Sequence, residues 1–108
     1  MSLTPLTYQI LVALADADRH GYGIIKEIED RAGPAAAPST GALYLALQRM
    51  ETQGLVEDAP DRPRADEDAR RRYYRITREG RRAAEAESAR LAALVATARR
   101  KDLLAEDA

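Results

Sequence analysis

The chain has no cysteine, tryptophan or phenylalanine, and it contains a single histidine among its 108 residues. Without cysteine it can form neither a disulfide nor a thiolate metal site, and a structural zinc would lack its usual ligands. No apolar run approaches the roughly 20 residues that cross a bilayer, and the N-terminus does not resemble a signal peptide. These absences predict a cytoplasmic protein with no membrane partner, no metal and no cofactor.

What the chain does contain is an uneven distribution of charge. Its formal net charge is -1, but residues 1–60 carry four Lys or Arg against eight Asp or Glu, whereas residues 61–101 carry thirteen against seven. Seven arginines fall within residues 70–82 and are interrupted by one acid. Such a band can neutralise phosphates while the overall charge stays near zero.

Capping residues and helical periodicity predict four helices. Thr4 and Pro5 open a helix over residues 5–15, a turn follows at residues 16–20, and a second helix ends near Gly33. Ser39 or Thr40 caps a third helix that reaches residue 53. A fourth, capped by residue 77, runs to residue 101 and carries an apolar stripe made of Ala84, Leu91, Leu94, Val95 and Ala98.

Two short strands are predicted between the third and fourth helices. They cover residues 55–58 and 71–76. Tyr74 and Ile76 are expected on the inner face, and the pattern does not decide whether Tyr73 is buried. The order of elements predicts a mainly α fold with a small β-hairpin. We expect a winged helix-turn-helix DNA-binding domain over residues 1–78, and a C-terminal dimerisation helix and tail over residues 79–108.

The third helix has two distinct sides. Leu43, Leu47 and Met50 recur at helical spacing and are expected in the core. The opposite side supplies the candidate contacts to double-stranded DNA: hydroxyl and N–H groups for phosphate at the helix start, a phenol for phosphate or sugar, and an amide for a base edge. These residues are Ser39, Thr40, Gly41, Tyr44 and Gln48. The alternative is an ordinary amphipathic helix for which Ser39 is only the cap.

Further phosphate contacts are expected from Arg70, Arg71 and Arg72 on the hairpin, with Arg75 as an additional candidate; a solvated charge run is the alternative. His20 is expected to be a turn or packing residue. A nucleophile with its base, a Gly-rich phosphate loop and a cluster of metal ligands all fail to assemble from this sequence, so no catalytic residue is assigned and an enzyme is not expected.

Four short motifs stand out along the chain, and they are LTPL at residues 3–6, HGYGI at 20–24, GALY at 41–44 and RYYRIT at 72–77. Together they resemble the PadR family of bacterial transcriptional regulators, in particular its subgroup with a short C-terminus. The resemblance covers residues 3–104. It implies a homodimer that binds a pseudo-palindromic operator, commonly as a repressor, with the C-terminal helix pairing across the dimer and a small aromatic effector between the subunits.

The resemblance assigns Tyr44 to the family tyrosine near the DNA backbone, and Ser39 and Thr40 to its polar helix entrance. Two positions depart from the family, because Ala42 replaces the usual Thr or Ser and Leu45 replaces a polar residue or Pro. An effector cavity at the dimer interface would be lined by Tyr8, Val12, Leu91 and Val95. Ordinary dimer packing explains those four residues equally well, and a winged-helix module that binds proteins instead of DNA is the alternative function.

Overall fold

The computed structural model describes residues 3–59 and 72–105, which form four α-helices and a small antiparallel sheet. The predicted mainly α fold with a small β-hairpin is confirmed. In chain order the elements are α1 (Pro5–Leu14), β1 (Arg19–His20), α2 (Gly21–Ala32), a single 3-10 turn (Pro34–Ala36), α3 (Thr40–Thr52), β2 (Val56–Asp58), β3 (Tyr73–Ile76) and α4 (Arg78–Arg100).

Hydroxyl side chains define where three of the helices begin. The hydroxyl oxygens of Thr4, Ser39 and Thr77 each accept a hydrogen bond from a backbone N–H in the first turn, at 3.2, 3.1 and 2.9 Å. Each satisfies a donor that would otherwise lack an intrahelical partner, which stabilises a helix by about 1 kcal/mol. The sequence predicts Thr4 and Thr77 as caps and leaves the cap of α3 to Ser39 or Thr40; in the structure it is Ser39.

His20 caps α2. Its Nδ1 accepts a hydrogen bond from the backbone N–H of Gly23 at 3.0 Å, so the neutral ring carries its proton on Nε2. The ring also meets Tyr73 edge to face, with the ring centroids 5.2 Å apart. This histidine therefore has the structural role that was expected of it.

The sheet has one strand more than the predicted hairpin. Its order is β1-β3-β2, and both pairings are antiparallel, with Arg19 opposite Tyr74 and Val56 opposite Ile76. The prediction of a simple turn at residues 16–20 was therefore wrong for Arg19 and His20. A strand of two residues is too short to show an alternating pattern, and its partner strand lies more than fifty residues away in the sequence.

The core lies where α1, α2 and α3 meet the inner face of the sheet. The predicted inner side of α3 is confirmed, because Leu43, Leu47 and Met50 are buried. Tyr74 is buried as predicted, and Tyr73 on the other side of β3 is buried as well. The remaining large buried side chains come from the first two helices and are Ile10, Leu11, Leu14, Ile24 and Ile28.

The start of α4 is fixed to the turn that follows α3. The hydroxyl of Thr77 donates to the carbonyl of Gly54 at 2.6 Å, and its backbone N–H donates to the carbonyl of Leu55 at 3.1 Å. A Cβ atom at Gly80 would lie 2.1 Å from that same Leu55 oxygen, so only glycine permits this approach. These contacts define the direction in which α4 leaves the core.

Beyond this junction α4 packs along α1 and then extends past it. Tyr8 Oη and Ser88 Oγ share a hydrogen bond of 2.6 Å, and the guanidinium of Arg81 donates to the carbonyl of Ala15 at 2.8 Å. Further along, Leu94 is 58% exposed and Val95 is 38% exposed. Among the described residues, no helix is both long and apolar enough to cross a membrane, α4 included.

Candidate nucleic-acid interface

The outer side of α3 is the exposed surface that carries most of the predicted DNA contacts. Gly41, Tyr44 and Gln48 are all exposed, and their spacing puts them on one side of the helix. Leu45, which is 58% exposed, and Arg49 share this side. Sequence reasoning missed Arg49, although a basic residue four positions after Leu45 on the outer side was a usable signal for a phosphate or guanine contact.

Polar groups are concentrated at the start of α3. Ser39 and Thr40 are exposed, and the oxygen of Ser39 accepts the cap hydrogen bond from Ala42. Its O–H remains a potential donor, and the first backbone N–H groups of a helix lack intrahelical acceptors. Acting as a cap is therefore compatible with binding a phosphate at the same point.

Tyr44 lies against the first residue of α2. A Cβ atom built at Gly21 would be 2.3 Å from the Tyr44 hydroxyl oxygen and 2.6 Å from its Cζ atom. Gly21 is buried, whereas Tyr44 remains 45% exposed. The missing side chain of Gly21 thus makes room for the phenol, which is held at the N-terminal end of α2. Helix N-termini favour anions, so a phosphate that contacts Tyr44 would also lie near favourable backbone N–H groups.

Arg72 lies at the opposite end of α3, in a cluster of charged and aromatic side chains. Its Nε donates to Asp58 at 3.2 Å, and its Nη2 donates to Glu51 in the last turn of α3. Its guanidinium carbon lies 4.9 Å from the centre of the Tyr74 ring. The cluster joins α3, the end of β2 and the residue that precedes β3.

These contacts change the ionisation of two members of the cluster. Burial alone would lower the pKa of the Arg72 guanidinium, but the hydrogen bonds to Asp58 and Glu51 outweigh it and the pKa is raised. Burial raises the pKa of the Tyr74 phenol, although the nearby Arg72 charge acts in the opposite direction. Arg72 is therefore a permanently charged member of the cluster.

The other hairpin arginines that were expected to contact phosphate fall in different places. Arg75 forms an ion pair with Asp18 at 3.4 Å, beside the short strand β1. Arg70 and Arg71 lie outside the described residues, as do the acids at positions 66–68. Of the three arginines assigned to phosphate, only Arg72 can be described, and it is tied to residues of its own chain.

A groove of about 340 Å³ lies between α1, β3 and α4. Of the four residues predicted to surround an effector, Val12 lines the groove, as does Ser88. Tyr8 does not line it, although its hydroxyl shares a hydrogen bond with Ser88. Leu91 and Val95 lie further along α4 than the groove. Its remaining lining residues are Ala15, Ile76, Arg81, Ala84 and Glu85.

Residues 10–86 match the sequence profile of the family described as "Transcriptional regulator PadR-like family". The chain belongs to the PadR-like family. It is a family of transcriptional regulators and not of enzymes, which agrees with the expectation from the sequence.

Two curated relatives are similar in sequence. An uncharacterized 37.1 kDa protein of transposon TN4556 from Streptomyces fradiae is 40% identical over 85 residues, which are 79% of this chain and 22% of the relative. Uncharacterized protein X of Lysinibacillus sphaericus is 33% identical over 72 residues, which are 63% of this chain and 61% of the relative. This PadR-like chain therefore spans less than two thirds of the length of either relative.

Solved structures of PadR regulators have the same fold. A PadR family transcription regulator from Clostridium difficile superposes with a TM-score of 0.77 at 26% identity, over 90% of this chain and 97% of that one. Bacillus subtilis PadR, solved in complex with operator DNA, superposes with a TM-score of 0.63 at 18% identity, over 76% of this chain and 46% of that one.

Proposed function

We propose that this PadR-like chain is a transcriptional regulator that binds double-stranded DNA sequence-specifically, with α3 in the major groove. The observation that carries the proposal is the outer side of α3, where polar side chains and an exposed Leu45 surround a Tyr44 that is held against Gly21. A Bacillus subtilis regulator of the same fold binds operator DNA, which supports this use of the surface.

The contacts divide into those that position the protein and those that recognise sequence. Ser39, Thr40, Gly41 and Tyr44 supply hydroxyl and backbone N–H groups for phosphates at the start of α3. Gln48 reaches a base edge, with adenine as the preferred partner of an amide. Arg70 and Arg71, outside the described residues, are expected to add phosphate contacts from the segment that connects β2 and β3.

The regulator acts as a homodimer in this proposal, with residues 1–78 as the DNA-binding domain and residues 79–108 as the dimerisation helix and tail. The exposed apolar residues Leu94 and Val95, together with the half-buried Leu91, support it because they continue the stripe of α4 beyond its contact with α1. A two-fold dimer would bury this stripe against its own copy. The two copies of α3 would then face half-sites one DNA turn or a multiple apart.

We further propose that the protein represses transcription from a pseudo-palindromic operator in the cytoplasm and is released by a small aromatic effector. The groove beside Val12 and Ser88, next to Tyr8, supports an effector site between α1 and α4. Leu91 and Val95 lie beyond the groove of their own subunit. They would contribute to the effector site only if the dimer brought the α4 of a second subunit against it.

Selection of duplexes from a random DNA pool, followed by a salt titration of the best one, tests the proposal. We expect an enriched inverted repeat whose affinity falls about a thousandfold or more between 50 and 200 mM salt, if six or more phosphates are neutralised. A chain that enriches no sequence, yet binds an acidic protein in a salt-dependent way, would instead be a protein-binding module.

Val95→Glu tests the dimer, with Ala93→Glu on the opposite side of α4 as the matched control. Sedimentation should give a dimer for the native chain and for the control, and a monomer for Val95→Glu, because an unpaired charge is costly in an apolar interface. A native chain that stays monomeric at micromolar concentration would contradict the dimer.

A further inference from the structure

The charge cluster around Arg72 is more than a set of surface ion pairs, because it joins elements that a DNA-binding winged helix has to hold in a fixed relation. Glu51 belongs to the last turn of α3, and Asp58 is the final residue of β2. Arg72 immediately precedes β3 and bonds to both of them. One side chain thus connects the last turn of α3 to the end of β2 and the start of β3.

The surroundings of Arg72 are poor for binding a phosphate. Two carboxylates face one guanidinium, so the local charge of the three groups is negative, and a DNA phosphate would be repelled by Glu51 and Asp58. Two donor nitrogens of the guanidinium are already used, and one face of the group lies over the Tyr74 ring. Arg72 would have to give up these contacts to bind DNA.

The same surroundings favour a structural role. A carboxylate such as Glu51 near the C-terminal end of a helix is unfavourable, because that end carries partial negative charge. The positive charge of Arg72 offsets this effect. Its planar guanidinium also donates from two different nitrogens to two separate elements, and a lysine ammonium cannot reproduce that geometry. The side chain is 49% exposed, so the gain in stability is small, but the geometry that it fixes is specific.

We infer that Arg72 is a positioning residue, which sets the orientation of the strands β2 and β3 relative to α3 through Glu51 and Asp58, and that it does not bind a DNA phosphate. The inference rests on the proposed DNA-binding function. Substitutions of Arg72 and of Glu51 should then both lower the affinity for DNA, although the two side chains carry opposite charges.

The experiment compares Arg72→Gln, Arg72→Lys and Glu51→Gln by fluorescence anisotropy on the selected duplex between 50 and 200 mM salt. Glu57→Gln is the matched control, since it removes one exposed negative charge from the same strand as Asp58. All three cluster variants should lose affinity by about threefold to tenfold, a range typical of coupled contacts. The slope of log affinity against log salt should stay that of the native protein.

A phosphate-binding Arg72 gives the opposite pattern. Arg72→Gln would then lower the salt slope by about 0.9, and Arg72→Lys would bind almost as the native chain. Glu51→Gln would bind more tightly, as is expected of the Glu57→Gln control. That outcome overturns the inference and leaves the proposed function intact. A native chain that binds no duplex overturns both. If Arg72→Gln does not fold, as judged by its circular dichroism melt, the Arg72→Lys and Glu51→Gln results decide the question.

Discussion

Replacing Gly21 by alanine tests how closely α2 and α3 approach each other beside Tyr44. The new Cβ would lie 2.3 Å from the Tyr44 hydroxyl oxygen and 2.6 Å from Cζ, both well inside van der Waals contact. The aromatic ring is rigid, so the overlap can be relieved only by rotating Tyr44 away from α2 or by separating the two helices. Gly41→Ala is the matched control, because it adds a Cβ in the first turn of α3 with no atom within 4 Å.

Two opposing effects determine the size of the change at Gly21. Alanine is preferred over glycine in a helix by at most about 1 kcal/mol. Overpacking of a tight contact costs about 1–3 kcal/mol, and here it is the larger effect because the new Cβ overlaps both the hydroxyl oxygen and Cζ of Tyr44. We therefore expect Gly21→Ala to lower the free energy of unfolding by about 1–2 kcal/mol. Gly41→Ala should leave it unchanged or raise it by up to about 1 kcal/mol.

A double-mutant cycle with Tyr44→Ala assigns the cost to this contact. Urea denaturation at one fixed protein concentration measures each free energy of unfolding, since the stability of a dimer depends on concentration. In the Tyr44→Ala background, Gly21→Ala should become neutral or stabilising, with a coupling of at least about 1 kcal/mol. An equal cost of Gly21→Ala in both backgrounds would refute the role given to the Gly21 and Tyr44 contact.

Substitutions at Thr77, Glu87 and Leu45 test other contacts of the structure. Thr77→Ala removes both the α4 cap and a 2.6 Å hydrogen bond to the carbonyl of Gly54, so thermal unfolding should show a free energy of unfolding lower by about 1–2 kcal/mol. Thr52→Ala, on the exposed end of α3, is the control and should lower it by under about 0.5 kcal/mol. Equal losses for the two variants would contradict the role of Thr77. The hydrogen bond from Arg90 holds the pKa of Glu87 below its ordinary value of 4.5, so the stability that Glu87 contributes is present above pH 4.5 and lost as the pH falls through the lower folded-state pKa. Glu87→Gln should flatten the fall in melting temperature in that acidic range, and an unchanged pH profile would refute the assignment. The exposed Leu45 should contact a thymine methyl group of the selected operator. Replacing that thymine by uracil should therefore weaken the native chain by about threefold and Leu45→Ala by less, because alanine makes a smaller apolar contact. Equal effects on both would exclude the contact.

The helices could be predicted because their determinants are local. Thr4, Ser39 and Thr77 stand directly before the helices that they cap, and the hydroxyl needs only the backbone three residues ahead. The inner side of α3 follows from helical spacing alone, because Leu43 and Leu47 must point in one direction whatever they pack against. Both kinds of pattern are contained in fewer than a dozen consecutive residues.

The third strand and the cap of α2 could not be predicted in the same way. Arg19 and His20 become a strand only because β3 lies beside them, and its residues are more than fifty positions further along the chain. His20 has no strong preference for a cap position, and its ring is held in place partly by Tyr73, which comes from that same distant strand. The burial of Tyr73 has the same origin, because in a hairpin without β1 the side of β3 that carries Tyr73 would be exposed to solvent.

Arg72 shows why the candidate site was harder to predict than the fold. In the sequence it stands at the end of a run of three arginines, where its neighbours suggest that it shares their role. In the structure its partners are Asp58 and Glu51, which lie 14 and 21 residues earlier. Charge density along a sequence can identify a segment suited to phosphate, but it cannot show which members of that segment are neutralised by acids brought close by folding. Those acids decide which arginines remain available to bind DNA, so the assignment of each one depends on its ion-pair partners and not on its position in the run.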